Sequence, residues 1–262
     1  MDIDLSGRTA LVSGSTKGIG RAIAARLGRA GAAVVVNGRN ADQVAATVRD
    51  LAGNAGPIRG IAADLASAEG AARLFDELPK VDILVNNLGI FGPRPVLEID
   101  DDEWRRYFEV NVLSGVRLTR HYLPKMTEQG WGRVQFIASD SAIVIPDEMV
   151  HYGMTKTALL AVSRGYAKAA KGTGVTVNAV IAGPTHTEGV EDFVAELVGA
   201  DLPWDEAQRR FMAEHRPNSL IQRFIEPEEI ADMVVYLSSE NASATTGGAL
   251  RVDGGYVDGI LP

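Results

Sequence analysis

The sequence has no cysteine, which excludes disulfides, thiol nucleophiles and cysteine-ligated metals. It also lacks a basic excess. Lysine and arginine number 26 against 34 acidic residues, a net charge of −8, which argues against a nucleic-acid backbone as partner, since that contact needs basic surface. A local basic pocket for one phosphate stays compatible with this charge. No apolar run approaches the roughly 20 residues of a membrane span. The start, Met1-Asp2-Ile3-Asp4, has neither the basic nor the apolar part of a secretion signal, so a cytoplasmic location is expected. His121, His186 and His215 show no metal-ligand spacing, and no metal is expected. Repeats, low-complexity tracts and linkers are absent as well.

What is present suits one large core. The 262 residues, 46% hydrophobic and 23% charged, fit a single globular α/β domain spanning 1–262. Short apolar runs alternate with helical patterns. Strands are expected at Thr9–Val12, Ala33–Asn37, Pro57–Ala63, Asp82–Asn86, Arg133–Ser139, Val175–Ile181 and Gly248–Val252. Runs such as Val34-Val35-Val36 and Ile83-Leu84-Val85 are apolar on both faces, as parallel strands covered by helices on both sides require. Repeated β-α units imply right-handed crossovers and a doubly wound, seven-stranded parallel sheet. A long helix is expected near Asp102–Gln129, ended or kinked by Pro124, and another over Tyr152–Lys171. Pro227, Glu228 and Glu229 open the last helix. The rhythm breaks at about 185–226, where two short helices carry Phe193, Val194, Leu197 and Val198. An insertion of this length suggests a substrate lid.

Ser13-Gly14-Ser15-Thr16-Lys17-Gly18-Ile19-Gly20 follows the first strand and opens the first helix. Glycine serves where the backbone turns sharply or approaches a ligand closely, and the N–H groups of a helix start bind a pyrophosphate. After the second strand comes Asn37-Gly38-Arg39-Asn40. A carboxylate there would hold the ribose hydroxyl of NAD, whereas an arginine accommodates the 2′-phosphate of NADP. Arg39, seconded by Lys17, therefore points to NADP(H) over NAD(H). Further on, Tyr152 and Lys156 stand four residues apart, with Ser139 thirteen positions upstream. On a helix, positions i and i+4 share a face. A nearby ammonium lowers a phenol's pKa, which turns tyrosine into a usable proton donor and acceptor.

Together these residues resemble the short-chain dehydrogenase/reductase family in its single-domain branch of roughly 250 residues. The resemblance covers nearly the whole chain. Gly14, Gly18 and Gly20 match its glycine turn, and Asp64-Leu65 the pair that contacts adenine. Asn86-Asn87-Leu88-Gly89 resembles its N-N-A-G segment, while Ser139, Tyr152, Lys156 and Asn111 match its catalytic positions. Gly183-Pro184-Thr185-His186-Thr187 resembles the loop that touches the nicotinamide. Two departures stand out: Leu88 for a small alanine, and Ala182 where proline commonly precedes Gly183.

The resemblance implies a Rossmann fold and interconversion of a ketone and a secondary alcohol. Tyr152 would donate the proton and Ser139 hold the oxygen. Lys156 would tune the tyrosine and bond the cofactor ribose, and Asn111 would hold a relaying water. Leu88, Phe91, Ser141, Ile143, Ile145, His186 and Phe193 are expected to line a mostly apolar substrate pocket. His151 reads as a helix-start or pocket residue rather than a catalytic one. The resemblance also makes reduction of a 3-oxoacyl thioester an alternative. A non-catalytic NADP-binding regulator and a sugar-nucleotide epimerase or dehydratase are rival readings. A homotetramer, or a homodimer, is implied as well.

Overall fold

The computed structural model describes residues 3–53, 56–199 and 201–260. Met1 and Asp2 of the acidic start, and Ala200 of the lid, lie outside the described residues. Seven parallel strands are β1 Thr9–Val12, β2 Ala33–Gly38, β3 Ile58–Ala62, β4 Ile83–Asn86, β5 Gly132–Ser139, β6 Val175–Ala182 and β7 Ala249–Val252. They lie side by side in the order β3-β2-β1-β4-β5-β6-β7, the doubly wound order expected. Chain direction across the sheet reverses between β1 and β4, and a ligand crevice opens beyond the carboxyl ends of the strands at such a point.

The alternation of buried side chains shows why the strands form. Ala10 and Val12 join one cluster, which packs on α1 (Gly18–Arg29) and α9 (Pro227–Ser238). Leu11 points the other way, into a second cluster under α3 (Ala68–Glu77), α5 (Ser114–Glu128) and α6 (Val150–Ala169). Each fully buried Val, Leu, Ile, Phe or Met contributes about 1.5–3 kcal/mol of transfer free energy, which commits both faces of the sheet. Helix starts follow local chemistry. Asn40 caps α2 (Ala41–Leu51) through the Gln43 N–H, and Ser67 caps α3 through Gly70. Glu226 and Glu229 form a capping box ahead of Pro227 on α9.

The middle region refines the expectations. The long helix forms without interruption from Asp101 to Glu128, as α4 (Asp101–Phe108), a widened π-type turn at Glu109–Leu113, and α5. Pro124 does not end α5, which runs on to Glu128. In the 185–226 stretch, α7 (Val190–Val198) and α8 (Trp204–His215) form as expected. They build a small core of their own from Val194, Val198, Ala207, Phe211, Met212 and Phe224. Of the four apolar residues expected to pack there, Phe193 and Leu197 stay about half exposed. The stretch leaves and returns side by side: Ile225 N–H donates to Pro184 O and His186 N–H to Ile225 O, both at 2.9 Å.

Candidate active site

The glycine turn is built from the ends of β1, β2 and β4. Gly14 and Gly18 have φ of +61° and +52°, a region that strains any residue with a Cβ. Gly20 is required by space instead: a Cβ there would stand 2.4 Å from Gly14 O and 2.5 Å from Asn87 Nδ2. Asn37, buried at the end of β2, accepts from Gly14 N–H at 3.3 Å and donates to Ile61 O and Ala63 O at 3.1 Å. Ser13 ties β1 to β4, its Oγ accepting the N–H groups of Asn87 and Leu88 at 3.0 Å. Asn87 Nδ2 donates back to Ser13 O and Gly14 O at 3.0 Å.

The turn does not offer every group expected of it. The Ser15 hydroxyl is buried, donating to Val12 O at 2.7 Å and accepting from Asn37 N–H at 2.9 Å, so that side chain is spent on the turn itself. Thr16 packs against Gly38, and Ile19 is partly buried on the core. Lys17 and Arg39 are exposed at the turn and beyond β2, as a phosphate contact requires. Asp64 holds its own loop through the Ala66 N–H at 3.1 Å, and Leu65 is buried in the core. Thr187 from the loop after β6 lies against Gly18, and Glu188 Oε1 accepts from the Gly18 N–H at 3.4 Å. A carboxylate thus stands at the start of α1, a place that attracts anions. Fit for a dinucleotide phosphate is supported by that acidic stand-in at the start of α1. A groove of about 630 Å³ runs from Gly18 along α1 to Glu188 and Glu226, beside the turn rather than at Tyr152.

The four catalytic candidates come together where β4, β5 and α6 meet. Lys156 is buried, and its Nζ donates to Ile137 O at 2.9 Å. The same Nζ lies 5.5 Å from the centre of the Tyr152 ring. Asn111, turned inward by the π-type turn, accepts from Ile90 N–H at 2.8 Å. It donates to Ile90 O at 2.9 Å and to Thr155 Oγ1 at 3.0 Å. A Cβ on Gly89 would lie 3.6 Å from both Asn111 Oδ1 and Lys156 Nζ, so the β4 loop closes directly over this pair. Ser139 ends β5 beside Tyr152, whose pKa it draws down, while its own proton is directed at Asp140 Oδ1 at 2.9 Å.

The electrostatics correct one expectation. Lysine was expected to lower the tyrosine's pKa; in the structure burial dominates and pushes the phenol up to about 12, against the Ser139 hydrogen bond. Burial likewise brings the Lys156 ammonium down to about 8. Burial governs both groups, and the ammonium is directed at the Ile137 carbonyl rather than at the phenol.

The expected substrate residues divide. Phe91 is exposed, its ring 6.1 Å from that of Tyr152, and Ile143 and Ile145 are exposed nearby on the strand-end loop. Leu88 is partly buried against the core, and Ser141 is buried beside Asp140. His186 stacks on Trp204 at 4.7 Å and meets Glu191 at 2.9 Å, while Phe193 edges Phe211 at 6.2 Å. Gly183 has no room for a Cβ, which would meet Asp253 Cα at 2.7 Å, and Thr185 Oγ1 bonds Gly183 O at 2.8 Å. His151 is fully buried against Tyr107, with ring centroids 4.0 Å apart, and 3.7 Å from Glu103; it is a packing residue under α4. Asn37, Ser13, Asp140 and Glu188 were not foreseen. The first two are polar residues closing apolar strands, a signal visible in the sequence.

Residues 14–257 match a family profile described as enoyl-(acyl carrier protein) reductase. An uncharacterized oxidoreductase of Bacillus subtilis, YvaG, is 52% identical over the full length of both chains. The 3-oxoacyl-[acyl-carrier-protein] reductase FabG of Aquifex aeolicus is 34% identical, covering 97% of this chain and 99% of its own. The structure of L-sorbose reductase from Gluconobacter frateurii, complexed with NADPH and L-sorbose, superposes with a TM-score of 0.91. It is 32% identical and covers 99% of this chain and 100% of its own. The chain belongs to the short-chain dehydrogenase/reductase family and is an oxidoreductase of that family. Among the described residues no helix is long and apolar enough to cross a membrane, and no group of three or more His, Asp or Glu is placed to hold a metal.

Proposed function

We propose that the protein interconverts a ketone and a secondary alcohol with NADP(H), Tyr152 passing the proton. The observation that carries this reading is the meeting of Asn111 and Lys156 at Gly89, with the Lys156 Nζ 5.5 Å from the Tyr152 ring and Ser139 beside that tyrosine. When bound, the nicotinamide supplies or accepts the hydride. The protein's own residues handle the oxygen and the proton. A phenol with a pKa of about 12 keeps its proton at neutral pH and is a donor for carbonyl reduction. Giving that proton up leaves a buried phenolate, which the Ser139 hydroxyl and the Lys156 ammonium would stabilise. The space between Asn111 Oδ1 and Lys156 Nζ, each 3.6 Å from a Cβ placed on Gly89, would hold the relaying water. Arg39 and Lys17 would take the 2′-phosphate that distinguishes NADPH from NADH. Assembly into a homotetramer or homodimer is part of the same reading, and mass in solution tests it.

The substrate follows from a direct trial. L-sorbose, acetoacetate and acetoacetyl-CoA, each with NADPH and NADH, separate a hydroxylated ketone, a keto acid and a 3-oxoacyl thioester. The apolar rim of Ile143, Val144, Ile145, Phe193, Leu197 and Leu220, each at least one-third exposed, favours the thioester as second reading. Tyr152→Phe should bind NADPH as the parent does and lose turnover. Near-parental turnover in that variant refutes the mechanism, and NADPH binding without consumption of any carbonyl points to the regulator instead.

A further inference from the structure

Asp140, directly after the catalytic serine, is absent from the roles above. It is 7% exposed, at the carboxyl end of the sheet. A serine hydroxyl has one proton to donate and two lone pairs that accept. Here Ser139 donates its proton to Asp140 Oδ1 at 2.9 Å and accepts from the Ser141 N–H at 3.2 Å. The same Oδ1 takes the Ser141 N–H at 2.7 Å and the Ser141 hydroxyl at 3.4 Å. The one proton with which Ser139 would grip a substrate oxygen is therefore already engaged.

We propose that Asp140 is a positioning residue that sets the direction of the Ser139 hydrogen bond, and so decides whether this serine donates to a substrate carbonyl oxygen. The proposal rests on the ketone–alcohol reading of the site. A carboxylate only accepts, whereas a carboxylic acid carries an O–H of its own. With Asp140 ionised, the serine's O–H stays directed at the carboxylate and a substrate oxygen meets serine lone pairs. That arrangement suits an alcohol, which brings its own proton, and opposes a carbonyl, which brings none. With Asp140 neutral, its O–H donates to Ser139 Oγ, and the serine's proton turns to the carbonyl oxygen. Only hydrogen bonds are exchanged; Tyr152 still supplies the transferred proton.

The surroundings place this switch above the ordinary carboxylate range. Burial raises the Asp140 pKa. The Ser139 and Ser141 hydrogen bonds and Arg216, just past α8, oppose the rise, and Asp253, just past β7, adds to it. From α6, Tyr152 faces the pair, with Lys156 one turn further along; β6 contributes no titratable side chain.

The test compares pH profiles of NADPH-dependent reduction for the parent and Asp140→Asn, using whichever of the three carbonyls turns over. Parental turnover should fall roughly tenfold or more, the order of losing one oxyanion donor, as pH rises through the Asp140 titration. In Asp140→Asn the amide oxygen must keep the place that accepts the Ser141 N–H, so it goes on accepting from Ser139 at every pH; that step should vanish and turnover stay at the high-pH level. An Asp140→Asn profile that keeps the parental step overturns the proposal. A substrate-independent arm uses infrared titration of the cofactor-free protein. A carboxylic-acid band should titrate above the ordinary aspartate range, vanish in Asp140→Asn, and shift to still higher pH in Ser139→Ala, which removes a bond favouring the charged form. A band indifferent to Ser139 also overturns the proposal. Failure of the parent to reduce any carbonyl overturns the functional reading beneath it, whereas an active parent with an unaltered Asp140→Asn profile overturns this inference alone.

Discussion

Replacing Asn111 with alanine should cost stability as much as catalysis. The amide of Asn111 is clamped on both backbone groups of Ile90, accepting from its N–H at 2.8 Å and donating to its carbonyl at 2.9 Å. Its third bond, to Thr155 Oγ1 at 3.0 Å, matters less, because that hydroxyl keeps its own bond to Tyr152 O at 2.7 Å. Truncation leaves two peptide groups without partners. A fully buried orphan costs about 1–3 kcal/mol, and Ile90 is only half-buried, so the sum should be roughly 2–4 kcal/mol. Against a domain stability of about 5–15 kcal/mol the variant still folds. Urea unfolding should show a lower midpoint with an unchanged slope. Hydrogen exchange should locate the loss, since the Ile90 N–H, protected in the parent, exchanges faster by far more than amides in β6. A midpoint within about 0.5 kcal/mol of the parent, the scatter of neutral surface changes, or unaltered exchange at Ile90, would refute the assignment of Asn111 as the clamp of the β4 loop.

Arg39→Asp should weaken NADPH binding by roughly tenfold to a hundredfold, as expected for reversing a charge near a phosphate, and leave NADH within a fewfold; equal effects in fluorescence titrations contradict the 2′-phosphate assignment. Glu188→Gln should tighten NADPH roughly two- to fivefold, because a carboxylate no longer competes with the pyrophosphate for the start of α1; isothermal titration showing weaker binding argues against that competition. Glu229, held to about 2 by the Arg223 guanidinium, has a folded pKa below its unfolded value. Its contribution is present above about 4.3 and is lost as pH falls toward about 2. Thermal unfolding across that window should therefore drop less steeply in Arg223→Ala than in the parent, and parallel curves contradict the linkage.

The strands were legible because helices cover both faces of the sheet, so runs such as Val34-Val35-Val36 had to be apolar throughout. The Tyr152–Lys156 spacing was legible because one helix fixes it. The π-type turn within the middle helix at Glu109–Leu113 was not: Asn111 in that turn bonds Ile90 and Thr155, which lie far away in sequence. Nor was the occupation of the Ser15 hydroxyl, which depends on Asn37 of the neighbouring strand.

From the sequence alone came the order of strands and helices, the glycine turn, the cations proposed to mark NADP and the spacing of the candidate catalytic residues. All of these depend on local periodicity and on residue type. Tertiary structure decided the rest. Burial, a property of the whole fold, sends the Tyr152 pKa up rather than down. It also encloses Asp140, whose carboxylate accepts the hydrogen bond of the Ser139 hydroxyl. Whether a group keeps its proton depends on the surroundings that the fold assembles, and those are not written in the neighbouring residues.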